Sequence, residues 1–497
     1  MDIFNNVIYG FQVACQPVNF LYCFIGVFIG TLIGVLPGIG PVGAISLLLP
    51  ITFHIPPISA IIMLAGIYYG SMYGGSTTSI LVNIPGEATS VVTCMDGYQM
   101  ARRGRAGPAL GISAFGSFIA GNLSIIGLMF LVYPLASVAL RFGPPEFFTL
   151  MCLGLILVTY LARGSMVKAL MMAVWGLALS FVGMDLFTSR QRFVFGIPQL
   201  MDGVGLIPLV MGLFGISEVL INIGTSETQE ILKTKIRNIF PNLKDWKESI
   251  LPIIRGTGIG FFLGILPGAG ALTSPFMSYV VEKKLSKNPE KFGTGAIEGV
   301  AGPEAANNAA TGGAFIPLLS LGIPPNVIMA LLLGALMIHG IFPGPLFIQK
   351  YPELFWGTIA SMYVGNTMLL ILNLPLIPFW VQILKVPYKI LFPLILLFCL
   401  IGVYSVNNSL FDVILMIIFG ILGYFLRRSG FELAPLVLAF VLGPIMERTF
   451  RQSLIISGGS FSIFLERPIA GFSLVITLIL IFYSFIQYAK TKGLFRS

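Results

Sequence analysis

Charge is what this sequence has least of. Of its 497 residues, Asp, Glu, Lys and Arg make up 10%. A water-soluble domain carries roughly a quarter, so a soluble globular fold is excluded. Histidine is nearly absent. His54 and His339 stand alone, without the spacing that holds zinc. The five cysteines form no C-x-x-C pair and read as small buried hydrophobes, not as a redox or thiolate centre. No H-E-x-x-H stretch occurs, and no Ser/His or Cys/His pair shares a setting, so an enzyme is not expected. No Lys or Arg precedes Arg102. The first residues, Met1–Asn6, therefore lack the basic start of a cleaved signal peptide.

What is abundant is apolar. Hydrophobic residues reach 56%, in runs long enough to cross a bilayer at about 20 residues per crossing. The runs do not alternate, which excludes a β-barrel. The expected fold is an all-α polytopic membrane protein of about 11–14 transmembrane segments embedded in a lipid bilayer. The 57 glycines and 32 prolines then point to broken helices, tolerated in a membrane where they face protein or a watery cavity. The net charge of +9 sits in short loops rather than in a basic patch with stacking aromatics, so nucleic acid is not an expected partner.

Assigning the basic clusters to the cytoplasm sets a topology. The N-terminus is expected outside and the C-terminus in the cytoplasm. Crossings are expected near 108–133, 146–162, 168–184 and 205–223, then near 354–378, 391–405, 410–426, 432–446 and 470–489. The polar stretch between them divides the chain into a first repeat (1–224), a cytoplasmic connector (225–250) and a second repeat with a C-terminal span (251–497). Arg190 and Arg192, and Arg448, Arg451 and Arg467, fall outside against the rule; they either weaken the topology there or mark a docking surface for a partner. Glu87, Asp96, Glu146 and Asp185 read as loop residues, and Glu218 as interfacial.

The strongest signal is a duplication. Gly30–Val42 reads G-T-L-I-G-V-L-P-G-I-G-P-V and Gly260–Leu272 reads G-F-F-L-G-I-L-P-G-A-G-A-L, with six of thirteen positions identical at an offset of 230. Each copy is followed by a second shared element. Gly74-Gly75 leads to Asn83-Ile84-Pro85, and Gly312-Gly313 leads to Gly322-Ile323-Pro324. One such break is an ordinary helix end. Two in matching order point to internal duplication. The first copy starts from a base-free terminus and the second from a basic connector, so the halves are expected to be inverted. Inverted repeats with discontinuous helices bind their substrates near the bilayer midplane.

The breaks suggest a chemistry. Pro37 and Pro267 end helices, and Gly38, Gly40, Gly268 and Gly270 let backbone N–H groups approach a ligand. A helix N-terminus beside them favours an anion. Gly74, Gly75, Gly312, Gly313, Pro85 and Pro324 are expected as further structural breaks. Beside them Ser76, Thr77, Thr78, Asn83, Asn307, Asn308 and Thr311 are candidate substrate contacts. Glu304 is the candidate coupling residue for sodium or a proton, since a carboxylate at membrane depth is costly and usually functional. No other cofactor is expected. A small di- or tricarboxylate held between two breaks is the expected cargo, and a passive organic-anion channel is the alternative.

These motifs carry a resemblance. V-L-P-G-I-G-P-V-G-A (35–44), Y-Y-G-S-M-Y-G-G-S-T-T-S-I-L-V-N-I-P-G-E (68–87), D-G-Y-Q-M-A-R-R-G-R-A-G-P-A-L-G (96–111), L-P-G-A-G-A (266–271), G-P-E-A-A-N-N-A-A-T-G-G-A-F-I-P-L-L-S-L-G-I-P (302–324) and E-R-T-F-R-Q-S-L-I-I-S-G-G (447–459) resemble the large membrane subunit of the tripartite tricarboxylate transporter family. The resemblance implies a bacterial inner-membrane carrier driven by a cation gradient, usually sodium. It implies a small membrane subunit and a periplasmic solute-binding protein as partners. It implies carboxylates such as citrate as substrates.

Overall fold

The computed structural model describes residues 3–36, 40–160, 165–185, 187–222, 238–268, 270–384 and 388–491. Pro37, Gly38 and the 223–237 stretch, which includes the start of the expected connector, lie outside them. The described chain is helical apart from one two-residue antiparallel pair, Gly183–Met184 against Gln191–Arg192.

The first half runs α1 (Ile3–Ala14), α2 (Pro17–Val35), α3 (Gly40–Leu48), α4 (Pro57–Val82), α5 (Val91–Arg102), α6 (Ala106–Ala139), α7 (Pro144–Tyr160) and α8 (Met166–Ser180). It closes with α9 (Leu206–Val210) and α10 (Ser217–Asn222), joined through a π-helical turn, Met211–Ile216. The second half runs α11 (Leu243–Ile265), α12 (Gly270–Leu285), α13 (Glu298–Leu321), α14 (Val327–Ile338), α15 (Phe347–Lys350) and α16 (Pro352–Asn373). It continues with α17 (Ile377–Ile383), α18 (Tyr388–Asn407), α19 (Leu410–Arg428), α20 (Ala434–Ile456), α21 (Ile463–Glu466) and α22 (Pro468–Thr491). Among the described residues, α2, α4, α6, α11, α16 and α19 are long and apolar enough to cross a membrane. This is an all-α polytopic membrane protein.

Within each half, one Gly-lined pair forms the core. α2 packs on α4, and α11 on α13. The cause is legible in the spacing: Gly26, Gly30 and Gly34 on α2, and Gly256, Gly260 and Gly264 on α11, recur every fourth residue on one helix face. A side chain at any of them would strike the backbone of the facing helix, at Met63, Ile67 and Ser71 or at Gly302, Ala306 and Ala310. Small residues let the backbones approach, and dispersion contacts hold them.

The halves pack through each other. α6 of the first half lies on α11 and α13, while α16 of the second lies on α2 and α4. α5 touches α13 and α14 touches α4. Farther out, α7 and α8 pack on α20, and α18 and α19 pack on the 211–216 turn. α4 and α13 thus become the inner helices. Every residue from Ile58 to Val82 and from Gly299 to Ser320 is buried.

Charged groups at the periphery pair off. Arg192 and Arg451 bind Asp185 and Glu447 in one network, and Arg467 reaches Glu146 at 3.2 Å. Arg192, Arg451 and Arg467 are therefore paired within the chain while their side chains stay partly exposed. Arg190 and Arg448 remain exposed. The Arg451 guanidinium donates to Asp185 at 3.0 and 2.9 Å and holds its carboxyl well below the usual carboxylate range. The carboxylate therefore stabilises the fold above its ordinary value of about 4, and that stabilisation is lost only as the pH falls further. Arg451→Met should unfold at lower temperature than the parent at neutral pH. The gap should close as the pH drops below about 4. Thermal unfolding in detergent across that range checks this, and a gap independent of pH would refute it.

Candidate functional site

The site is built on α13. Glu304, Asn307, Asn308 and Thr311 fall at i, i+3, i+4 and i+7, on one face of the helix. In an otherwise apolar helix this stripe must find partners, because an unpaired buried amide costs about 1–3 kcal/mol. It finds them across the boundary between halves. Ser76 of α4 donates to Glu304 Oε2 at 2.5 Å, and Thr93 of α5 donates to Glu304 Oε1. Asn308 Nδ2 donates to Ser117 Oγ of α6 at 2.7 Å. Asn307 Nδ2 donates to Glu87 Oε1 at 3.3 Å. Three buried oxygens here have no hydrogen-bond partner: Tyr73 OH, Asn307 Oδ1 and Asn308 Oδ1.

The expected contacts divide. Ser76, Asn307, Asn308 and Thr311 gather with Glu304. Thr77 is buried in the same helix. Thr78 donates to the Val35 carbonyl at 2.7 Å and so ties α4 to the end of α2. Asn83 is exposed and caps α4 in the left-handed conformation at φ 60°, and Gly322 caps α13 at φ 71°. Pro85 and Pro324 follow those caps, where a helix cannot resume. Gly74, Gly75, Gly312 and Gly313 do not break helices, as α4 and α13 run through them. They are close-approach positions instead. Gly75 leaves room for the Glu87 side chain, and Gly312 for Ser124.

At the paired breaks, Gly40 opens α3 at φ +63° and nothing lies within 4 Å of the place a Cβ would take. Gly268 has φ +112°, and its N–H donates to the Pro325 carbonyl at 2.8 Å. That N–H is already satisfied. Gly270 packs against the Leu263 carbonyl. The second break is therefore tied to the segment that follows α13, through Pro325, while the first keeps open space at Gly40. Gly38 and Pro37 lie outside the described residues, and Pro267 lies beside Gly154 of α7.

Asp96 and Glu146 correct the loop reading, since both lie in helices, while Glu87 and Asp185 do lie in loops, and all four are buried. Asp96 lies within α5, is fully buried, and accepts from Tyr279 OH and from the N–H groups of Gly293, Gly295 and Ala296. It clamps α5 to the chain that leads into α13. Glu146 opens α7 and Asp185 leads into a turn, both buried against arginine. Glu87 follows α4 but is buried, accepting from the Thr89 N–H at 2.7 Å. Nothing local marks Asp96 and Glu146 as buried, because the groups that enclose them, Gly293–Ala296 and Arg467, lie far along the chain. Asp96→Asn would set an amide N–H₂ against backbone donors. A loss of about 2–3 kcal/mol is expected, the scale of hydrogen bonds to a charged group. Unfolding by SDS titration measures it, and a variant as stable as Glu290→Gln would contradict the clamp.

One repeat escaped the sequence reading. Gly121-Asn122 of α6 and Gly365-Asn366 of α16 are the same dipeptide. Gly121 lies against the Asn366 amide and Gly365 against the Tyr69 hydroxyl. Asn308, Thr311, Ser124, Tyr69 and Asn366 line a cavity of about 10 Å³, room for one water. Small-molecule sites are typically about 300–1,000 Å³. Among the described residues this cavity is too small for such a molecule in this conformation.

Apolar helices enclosing a polar centre shared by two interleaved halves define a multi-pass membrane protein with a buried polar cluster. The sequence matches the tripartite tricarboxylate transporter TctA family over residues 20–438, and the chain belongs to that family. A protein of Agrobacterium vitis, described as an uncharacterized 52.8 kDa protein in the TAR-I ttuC' 3' region, is 50% identical over 492 residues, covering 99% of this chain and 98% of its own length. A second from the same organism, described as an uncharacterized protein in the TAR-II ttuC' 3' region, is 54% identical over 233 residues, 47% of this chain and 96% of its own. No solved structure matches this chain.

Proposed function

We propose that this chain carries a small di- or tricarboxylate across a bacterial inner membrane, driven by a cation gradient. The observation that carries the reading is the buried cluster of Ser76, Glu304, Asn307, Asn308 and Thr311, formed where α4 of one half meets α13 of the other. A channel needs a continuous watery path. A cavity of only about 10 Å³ favours a carrier whose halves move relative to each other. The element correspondence from α2 to α6 and from α11 to α16 supports two repeats, inverted in the membrane. The Gly40 and Gly268 breaks bound the path by which the acid reaches the cluster. A periplasmic solute-binding protein would deliver the acid and a small membrane subunit would complete the carrier, with the N-terminus outside and the C-terminus in the cytoplasm.

Uptake of labelled carboxylates into proteoliposomes, under imposed sodium or proton gradients and with or without those two partners, tests the reading. A carrier accumulates its substrate against a gradient and saturates. Dissipation without saturation would establish a channel instead. Asn307→Ala and Asn308→Ala should raise the apparent substrate constant about tenfold or more, roughly the worth of one buried polar contact. Ser137→Ala, on the exposed face of α6, should leave it unchanged. Equal constants in all three would remove these amides from the substrate path.

A further inference from the structure

The described residues contain seven buried acids: Glu87, Asp96, Glu146, Asp185, Asp245, Glu282 and Glu304. Four of them meet an arginine: Glu146 with Arg467, Asp185 with Arg451, Asp245 with Arg105, and Glu282 with Arg255. Asp96 takes three backbone N–H groups and a tyrosine hydroxyl. Glu87 and Glu304 remain. Their donors are neutral: Thr89 N–H and Asn307 for the first, Ser76 and Thr93 for the second. No Lys, Arg or His is buried among the described residues.

Both carboxylates flank Asn307, which touches Glu87 through its amide nitrogen and lies one turn from Glu304 on α13. Its carbonyl oxygen is buried without a donor, and Tyr73 OH, one turn from Ser76 on α4, is likewise unpartnered. The other titratable groups that feel this pair are Tyr68 and Tyr73 of α4 and Cys94 of α5, ordinarily neutral at pH 7. Buried charge without a counter-charge is untenable. Two carboxylates, an orphan carbonyl and hydroxyls form an all-oxygen set, which suits a hard cation and offers nothing to a soft one.

We infer that Glu87, from the first half, and Glu304, from the second, jointly hold one small monovalent cation, a proton or an alkali ion, and that it loads before an anionic substrate can. This rests on the carrier reading for its consequence. A carboxylate cargo entering beside two bare carboxylates would be repelled strongly in a low-dielectric interior, and one bound cation cancels one of the two charges and so lowers that repulsion. The ion also links the segment after α4 to α13, so loading and helix packing are coupled through one site.

The test uses the purified full-length chain in detergent, with no carboxylate present. Binding of ²²Na⁺ is measured at mildly alkaline pH. Protons bound between acid and alkaline pH are counted with an indicator dye in choline buffer. Glu87→Gln, Glu304→Gln and the double variant are compared with the parent. The parent should hold one equivalent of sodium, or one exchangeable proton that each glutamine variant lacks. Each single variant should weaken that binding about tenfold or more, and the double variant should be no worse than the weaker single. The two arms identify the ion. Binding of neither ion, single variants that bind like the parent, or losses that multiply in the double variant would each overturn the shared site. Should a variant fail to fold, the parent's count still decides, since zero or two sodium equivalents with no shared proton contradicts the proposal. Cation binding with no carboxylate binding would sink the carrier reading and leave this one standing.

Discussion

Gly268→Val should abolish carboxylate uptake while the chain still inserts in the membrane. Gly268 sits at φ +112° between α11 and α12. Only glycine occupies that region without strain, and a side chain there costs about 1–3 kcal/mol, more when it is β-branched. The position also holds a contact across the fold, since its N–H donates to the Pro325 carbonyl at the entry to α14. Valine would turn the backbone away from that bond. The segment joining α13 to α14 would then lose its tie to the break. A shift of 3 kcal/mol between conformations changes their ratio by about two orders of magnitude, enough to stall a transport cycle. Initial uptake rates into proteoliposomes, normalised to reconstituted protein, measure the effect. Gly268→Ala should fall between parent and valine variant. Gly38→Val is the companion in the first half. If both valine variants transport at the parent rate, the paired breaks have no part in the path.

The largest effect on the fold itself is expected for Gly260→Leu. A Cβ at residue 260 would collide with the carbonyl, Cα and carbonyl carbon of Ala306. Those atoms are backbone of a helix buried along its length and cannot yield locally. α13 would have to move away from α11, taking Glu304 and Asn307 with it. Overpacking of a rigid interior costs about 1–3 kcal/mol, and more where backbone must shift. Loss of the α11–α13 contact adds to that. Unfolding by SDS titration should show at least about 3 kcal/mol of destabilisation, and uptake should fall with it. Gly258→Leu is the control. It lies on the same helix, yet nothing stands within 4 Å of its Cβ position. Equal stability of the two variants would show that the Gly-lined seam does not hold the pair together.

Some of this was written locally and some was not. The Gly30/Gly260 and Gly34/Gly264 pairs are legible because close helix packing demands small residues at a fixed spacing. The stripe Glu304, Asn307, Asn308 and Thr311 could be found from its helical period. The inner position of α4 and α13 could not. A helix buried on all sides has no solvent-facing side to contrast with a core face, so the polar stripe on α13 does not show that the helix lies innermost. The reading of Gly74, Gly75, Gly312 and Gly313 as breaks failed for a related reason. Glycine pairs serve equally for helix ends and for helix contacts, and only the facing side chain distinguishes the two. Asp96 and Glu146 looked like loop acids because their partners, Gly293–Ala296 and Arg467, stand about 200 and 320 residues away, distances along the chain that no local pattern spans.

Sequence by itself determined that this is a multi-pass membrane protein, that the motif at Gly30–Val42 recurs at Gly260–Leu272, and that Glu304, Asn307, Asn308 and Thr311 lie at helical spacing. Composition and spacing suffice for these, because hydrophobic length, backbone freedom and helical period are properties of neighbouring residues. Only the tertiary structure decided that the two halves of the chain interleave, that Glu304 is met by Ser76 and Thr93 from the other half, and that Glu87 joins it through Asn307. Those contacts join residues more than 200 positions apart. They exist because two Gly-lined helix pairs, each formed within its own half, leave room for the helices of the other.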